Sequence, residues 1–153
     1  MGFDINTKSE NFETALMSAA DSGAFESAKI LVNSNADLDI ADKGEGKTAL
    51  MKSLESKNSE IATLLLEHNA DYNKPDLNGK TPLMYAIDFQ QASVIQILLE
   101  KKINLDIANN HGDTAVHFAC KREDSSTLYS LLDRKANPSN PNRGGETPLD
   151  VAI

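Results

Sequence analysis

Apolar positions along this chain recur on a fixed schedule. Each cycle opens on a threonine followed by small and apolar residues: Thr14-Ala15-Leu16-Met17, Thr48-Ala49-Leu50-Met51, Thr81-Pro82-Leu83-Met84, Thr114-Ala115-Val116-His117 and Thr147-Pro148-Leu149-Asp150. Successive threonines stand 34, 33, 33 and 33 residues apart. Seventeen residues after each of the first four come Leu31-Val32, Leu65-Leu66, Leu98-Leu99 and Leu131-Leu132. Five residues further on come Ala36-Asp37, Ala70-Asp71, Ile103-Asn104 and Ala136-Asn137. Three anchors holding one register over four units mark an internal repeat, which takes precedence over any local reading.

Each unit predicts two short helices. After the threonine, apolar residues fall at offsets 2, 5 and 6, as in Leu83/Ala86/Ile87 and Val116/Ala119/Cys120, the spacing of a single helical stripe. The threonine hydroxyl suits an N-cap, and Pro82 and Pro148 occupy the first helical position, where a missing N–H costs nothing. A second apolar run follows, such as Ile61-Ala62 before Leu64-Leu65-Leu66. Asn35 and Asn69 end it, since asparagine tolerates the left-handed backbone of a helix stop. Lys102 and Lys135 hold the same place and would carry about 1 kcal/mol of strain there. Gly46, Asn78-Gly79, His111-Gly112 and Gly144-Gly145 predict an extended, hairpin-like turn before each new threonine.

Thr-Pro-Leu-x-x-Ala, a downstream Leu-Leu, then Ala-Asp and a Gly turn at this period resemble the ankyrin repeat. The resemblance implies an all-α solenoid of stacked helix–turn–helix pairs with short β-hairpin-like fingers. It implies one domain over 1–153: an N-terminal finger or cap at 1–13, repeats at 14–47, 48–80, 81–113 and 114–146, and a partial repeat at 147–153. Several departures stand out. The first finger has one extra residue between Asp39 and Thr48, and the family's inter-helix glycine survives only as Gly23, with Lys57, Gln90 and Glu123 in its place elsewhere. Ser130 interrupts the last apolar run and marks the fourth repeat as the weakest. Residues 3–13 read as the tail of a preceding repeat. Leu149, Ala152 and Ile153 read as a helix lacking its partner, so the chain is expected to be a piece of a longer array.

Charge narrows the function. The net charge of −8 opposes nucleic-acid and anionic-membrane binding, which need a basic surface, and admits a protein partner with a basic one. No run approaches the roughly 18 apolar residues of a membrane span. The N-terminus lacks the basic and apolar segments of a secretory signal. The lone Cys120 leaves no internal disulfide and fits a reducing, intracellular setting.

Catalytic and cofactor chemistry finds no foothold in the sequence, and no catalytic, cofactor-binding or metal residue is assigned. Gly46-Lys47-Thr48 and Gly79-Lys80-Thr81 imitate a phosphate-binding loop, but Ala41 and Lys74 stand where that loop needs a glycine. His117 and Cys120 share a helix face, yet two ligands do not make a zinc site. In the family such a histidine ties turns together. Asn73, after Asp71-Tyr72, resembles the asparaginyl-hydroxylation site of some ankyrin repeats.

The resemblance implies a protein-binding module that engages its partner through finger tips and the concave face of the first helices. The alternative is a targeting, spacing or autoinhibitory arm of a larger enzyme or channel. Positions that change from repeat to repeat are free to encode the partner. Offset 4 holds Ser18, Lys52, Tyr85 and Phe118, and offset 8 holds Ser22, Ser56, Phe89 and Arg122. These offsets share a face away from the core stripe, and aromatics with arginine are the stuff of interface hot spots. With Leu77 at a finger position, the expected partner-binding residues are Leu77, Tyr85, Phe89, Phe118 and Arg122. Phe25 is expected to be core.

Overall fold

The computed structural model describes residues 4–152; Phe3 and Ile153, both drawn into the sequence reading, lie outside them. The described residues form four helix pairs: α1 (Ala15–Ser22) with α2 (Phe25–Asn33), α3 (Ala49–Glu55) with α4 (Ser59–Glu67), α5 (Pro82–Asp88) with α6 (Ala92–Glu100), and α7 (Ala115–Lys121) with α8 (Ser125–Asp133). Extended Thr14, Thr48 and Thr81 start the first helix of three pairs, each hydroxyl accepting from the N–H three residues on at 3.3–3.4 Å. At Thr147 the expected helix is a single 3-10 turn, Asp150–Ala152, and the Asp150 carboxylate accepts from the Thr147 N–H and hydroxyl at 2.7 Å each.

Stacking makes two layers. The first helices pack in the order α1–α3–α5–α7 and the second helices in the order α2–α4–α6–α8. Leu16, Leu50, Leu83 and Val116 are buried between them, as are Leu65, Leu98 and Leu131, while Leu31 is half-buried. Phe25, expected in the core, packs against it at the start of α2 but stays half-buried. α8 buries only Thr127 and Leu131, whereas α4 buries Ile61, Ala62, Leu64, Leu65 and Leu66. Polar side chains lace pairs together. The Asn58 amide donates to Ala20 O at 2.8 Å, and Gln91, 5% exposed, donates to Leu54 O and accepts from Ser59 at 2.8 Å.

Helix ends follow the sequence with one exception. Asn35, Asn69 and Lys135 are left-handed (φ 60°, 63° and 63°), letting Ala36, Ala70 and Ala136 fold back into the core. Lys102 is not left-handed. Ile103 replaces the small alanine there and stays half-buried, so α6 ends in extended backbone at Lys101 (φ −85°, ψ 165°).

The fingers are turns, with no strand among the described residues. Four are closed by an Asx side chain, as where Asp76 Oδ1 accepts from Asn78 and Lys80 N–H and Asn109 Oδ1 from His111 and Asp113 N–H, and the one at 9–13 by Ser9, whose hydroxyl accepts from Glu13 N–H. One backbone bond joins each finger to the next: Lys43 N–H to Asn11 O, Leu77 to Glu45, Asn110 to Asn78 and Arg143 to His111, at 2.8–2.9 Å. Residues 9–13 build an N-terminal finger ahead of the one between Asp39 and Thr48. There Phe12 takes the left-handed conformation (φ 62°) that Gly46 holds in the next (φ 72°).

Candidate functional site

Lys80 sits immediately before the N-cap of α5 and Asp88 in its last turn, so the long Lys80 side chain runs along the helix to reach the carboxylate. They form an ion pair at 2.5 Å, with both side chains under one-fifth exposed. Around the Lys80 ammonium stand three rings: Tyr85 with its centroid at 4.2 Å, Phe118 at 5.3 Å and Phe89 at 5.4 Å. Ring faces carry negative potential, so each attracts the cation. Tyr85 and Phe89, one turn apart, stack with centroids 6.3 Å apart and planes 7° from parallel. Arg122, one repeat along, donates to Asp88 as well, at 2.9 Å through Nε. The first-helix face between the third and fourth pairs is therefore an aromatic notch with a cation inside and a shared carboxylate at its edge.

The structure gathers four of the five expected partner residues around this notch and separates their roles. Phe89 and Phe118 are half-buried and Arg122 is exposed. Leu77 stands apart, 65% exposed at a finger position. Tyr85 requires correction as a surface residue: it is only 3% exposed, and its hydroxyl donates to Asp76 Oδ2 at 2.9 Å. Its helix offset does point it away from the core stripe, but the Asp76 finger folds over it. Burial, followed by the Asp76 bond, pushes the Tyr85 hydroxyl pKa upward, so it remains a proton donor. At Asp88 burial opposes ionisation, but the Lys80 and Arg122 bonds outweigh it and hold the carboxyl below its ordinary range.

Lys80 and Asp88 are the members that helix offsets alone overlook. Their signal lies in charge: Lys47/Glu55, Lys80/Asp88 and Asp113/Lys121 place opposite charges eight residues apart at one phase of the repeat. All three pairs form, at 2.7, 2.5 and 2.8 Å. Burial opposes the charge on Asp113 too, but Lys121 and Asn142 keep its carboxyl low. Lys52 joins Glu13 to Asp42, each at 3.0 Å.

The motifs that imitate chemistry have structural partners. Lys47 and Lys80, the lysines of the phosphate-loop look-alikes, are held by carboxylates. His117 is fully buried. Its Nδ1 accepts from the Thr114 N–H at 3.1 Å, which leaves Nε2–H to donate to Glu146 O at 3.2 Å in the next finger. Cys120 is buried, which raises its thiol pKa. Asn73 is half-buried, with its side-chain oxygen 3.4 Å from the Asn104 N–H. No group of three metal-ligating side chains occurs among the described residues.

A family model described as ankyrin repeats (3 copies) matches residues 16–109. The match takes in Leu77, Tyr85 and Phe89 and stops short of α7, which carries Phe118, and of Arg122 at its C-cap. No curated protein matches the chain.

Proposed function

Because the chain belongs to the ankyrin-repeat family, we propose that it is a protein-binding module that engages one partner through Leu77, Phe89, Phe118 and Arg122. Ankyrin repeats are generally protein–protein interaction modules, typically without catalysis of their own. The observation that carries this reading is the notch: two half-buried rings and an exposed guanidinium converge around one held cation. Aromatic and arginine side chains that are already immobilised bind at little further entropy cost. Tyr85 supports the site from beneath, stacked on Phe89. The excess of acidic residues favours a partner with a basic surface, and the single cysteine fits an intracellular setting. No described helix is long and apolar enough to cross a membrane.

Affinity capture tests the assignment. Phe89→Ala and Phe118→Ala should each weaken capture of the specific partner about tenfold or more, the usual scale of a hot spot. Capture of every specific partner at wild-type strength by both folded variants would remove the site.

A further inference from the structure

We propose that the second-helix layer carries a separate groove that takes a cationic segment of a partner protein. A hollow of about 560 Å³ lies between Phe25 of α2 and Ser93 of α6, with Glu60, Thr63, Leu64 and Glu67 of α4 along it. Those α4 positions are spaced three, four and seven residues apart, so they form one stripe. The floor is apolar. Phe25 supplies a half-buried ring at a phase where the later pairs carry only Ser59, Ala92 and Ser125, and Leu64 lies alongside. A second hollow of about 250 Å³ shares Phe25, Ser59 and Glu60 and continues, away from Glu67, toward Asn58 and a lysine, Lys57.

Charge selects the occupant. The four second helices carry Glu26, Glu60, Glu67, Glu100 and Asp133 against one cation, Lys29. None of these carboxylates joins an ion pair among the described residues, whereas Glu13, Asp42, Glu55, Asp88 and Asp113 near the fingers and first helices are all paired. Exposed Glu60 and Glu67 flank the apolar floor about 10 Å apart along the helix axis, seven residues at about 1.5 Å each. Their complement is a pair of cations at that spacing with an apolar side chain between them. A polyproline-type segment offers the cation spacing, since residues three apart lie on one face roughly 9 Å apart and a residue between them projects from an adjacent face. The same carboxylates repel nucleic-acid and lipid phosphates.

Fluorescence anisotropy on the full chain tests this with a labelled proline-rich peptide bearing two arginines three residues apart and a leucine between them. Saturable, salt-sensitive binding is expected, weakened about tenfold or more by Glu60→Gln with Glu67→Gln. Glu60→Lys with Glu67→Lys should abolish it while leaving the unfolding midpoint near the wild-type value, since both side chains are exposed. Phe89→Ala and Phe118→Ala should leave it unchanged, which separates this groove from the notch. Absence of saturable binding, or equal binding by the Gln variant, overturns the proposal. So does sedimentation as a dimer that Phe25→Ser reduces to a monomer, which would make a second copy the occupant.

Discussion

Replacing Lys80 by methionine keeps the aliphatic stem and removes the cation. The ammonium lies 4.2, 5.3 and 5.4 Å from three ring centroids and 2.5 Å from Asp88. A cation–π contact is worth about 0.5–1 kcal/mol when exposed and about 2 when desolvated. An exposed ion pair adds up to about 1 kcal/mol, and breaking a fully buried one costs about 3–5. Lys80 lies between these limits, its side chain 17% exposed, and Arg122 remains to hold Asp88 after the change. Methionine also retains much of the packing. The expected loss is therefore about 2 kcal/mol, or a fall of about 4–8 °C in the unfolding midpoint for a chain of this size. Lys47→Met is the control: Lys47 is as buried, its side chain 11% exposed between two carboxylates, but it faces one ring at 5.7 Å, so a smaller loss there measures what the further rings contribute at Lys80. Urea unfolding followed by circular dichroism measures both. A cycle with Asp88→Asn should give a coupling of about 1 kcal/mol. A Lys80→Met loss under about 0.5 kcal/mol, or one no larger than that of Lys47→Met, would mean that the rings are neighbours of the cation and contribute nothing to holding it.

Two further predictions follow from geometry and charge. Lys57→Gly, Gln90→Gly and Glu123→Gly should each stabilise by about 0.5–1 kcal/mol, because relief of left-handed strain at exposed positions exceeds the added freedom of the unfolded chain. Gly23→Ala should do the reverse by more than about 1 kcal/mol in urea titration, since φ is 74° and the new Cβ would lie 2.8 Å from Asn58 Oδ1. At low pH the sign is set by Asp42, Asp88 and Asp113, whose folded pKa values are depressed. Their contribution is complete above the unfolded value near about 4 and disappears as pH falls through the lower folded values. Asp88→Asn should flatten the acid limb of the stability profile, and an unchanged limb would contradict the Lys80–Asp88–Arg122 arrangement.

The helix pairs were legible because burial repeats with the sequence. A threonine cap, a stripe at offsets 2, 5 and 6, and a leucine pair give the same local solution each time. The binding face was legible only in direction. Offset 4 places Tyr85 away from the core stripe, but not beneath the finger that carries Asp76, because that cover comes from outside the helix. Lys80 was overlooked for a related reason: it precedes the helix, so no helical wheel contains it, and only the alternation of charge at an eight-residue spacing points to Asp88. Ile103 falls in register with the alanine anchors. Its bulk, where the other repeats have alanine, changes how α6 ends, and a pattern of apolar letters does not encode volume.

Because each pair packs on its immediate neighbours, the fourth pair leans on α5 and α6 on one side and, among the described residues, α7 meets the Asp150–Ala152 turn on the other. α2 buries only Ala28 and Val32, and α8 of the fourth pair only Thr127 and Leu131, so local opening costs less in these two second helices than in α4. Phe118 and Arg122 belong to the fourth pair. A partner that grips them binds only the closed form of the fourth pair, so occupancy itself becomes its clamp.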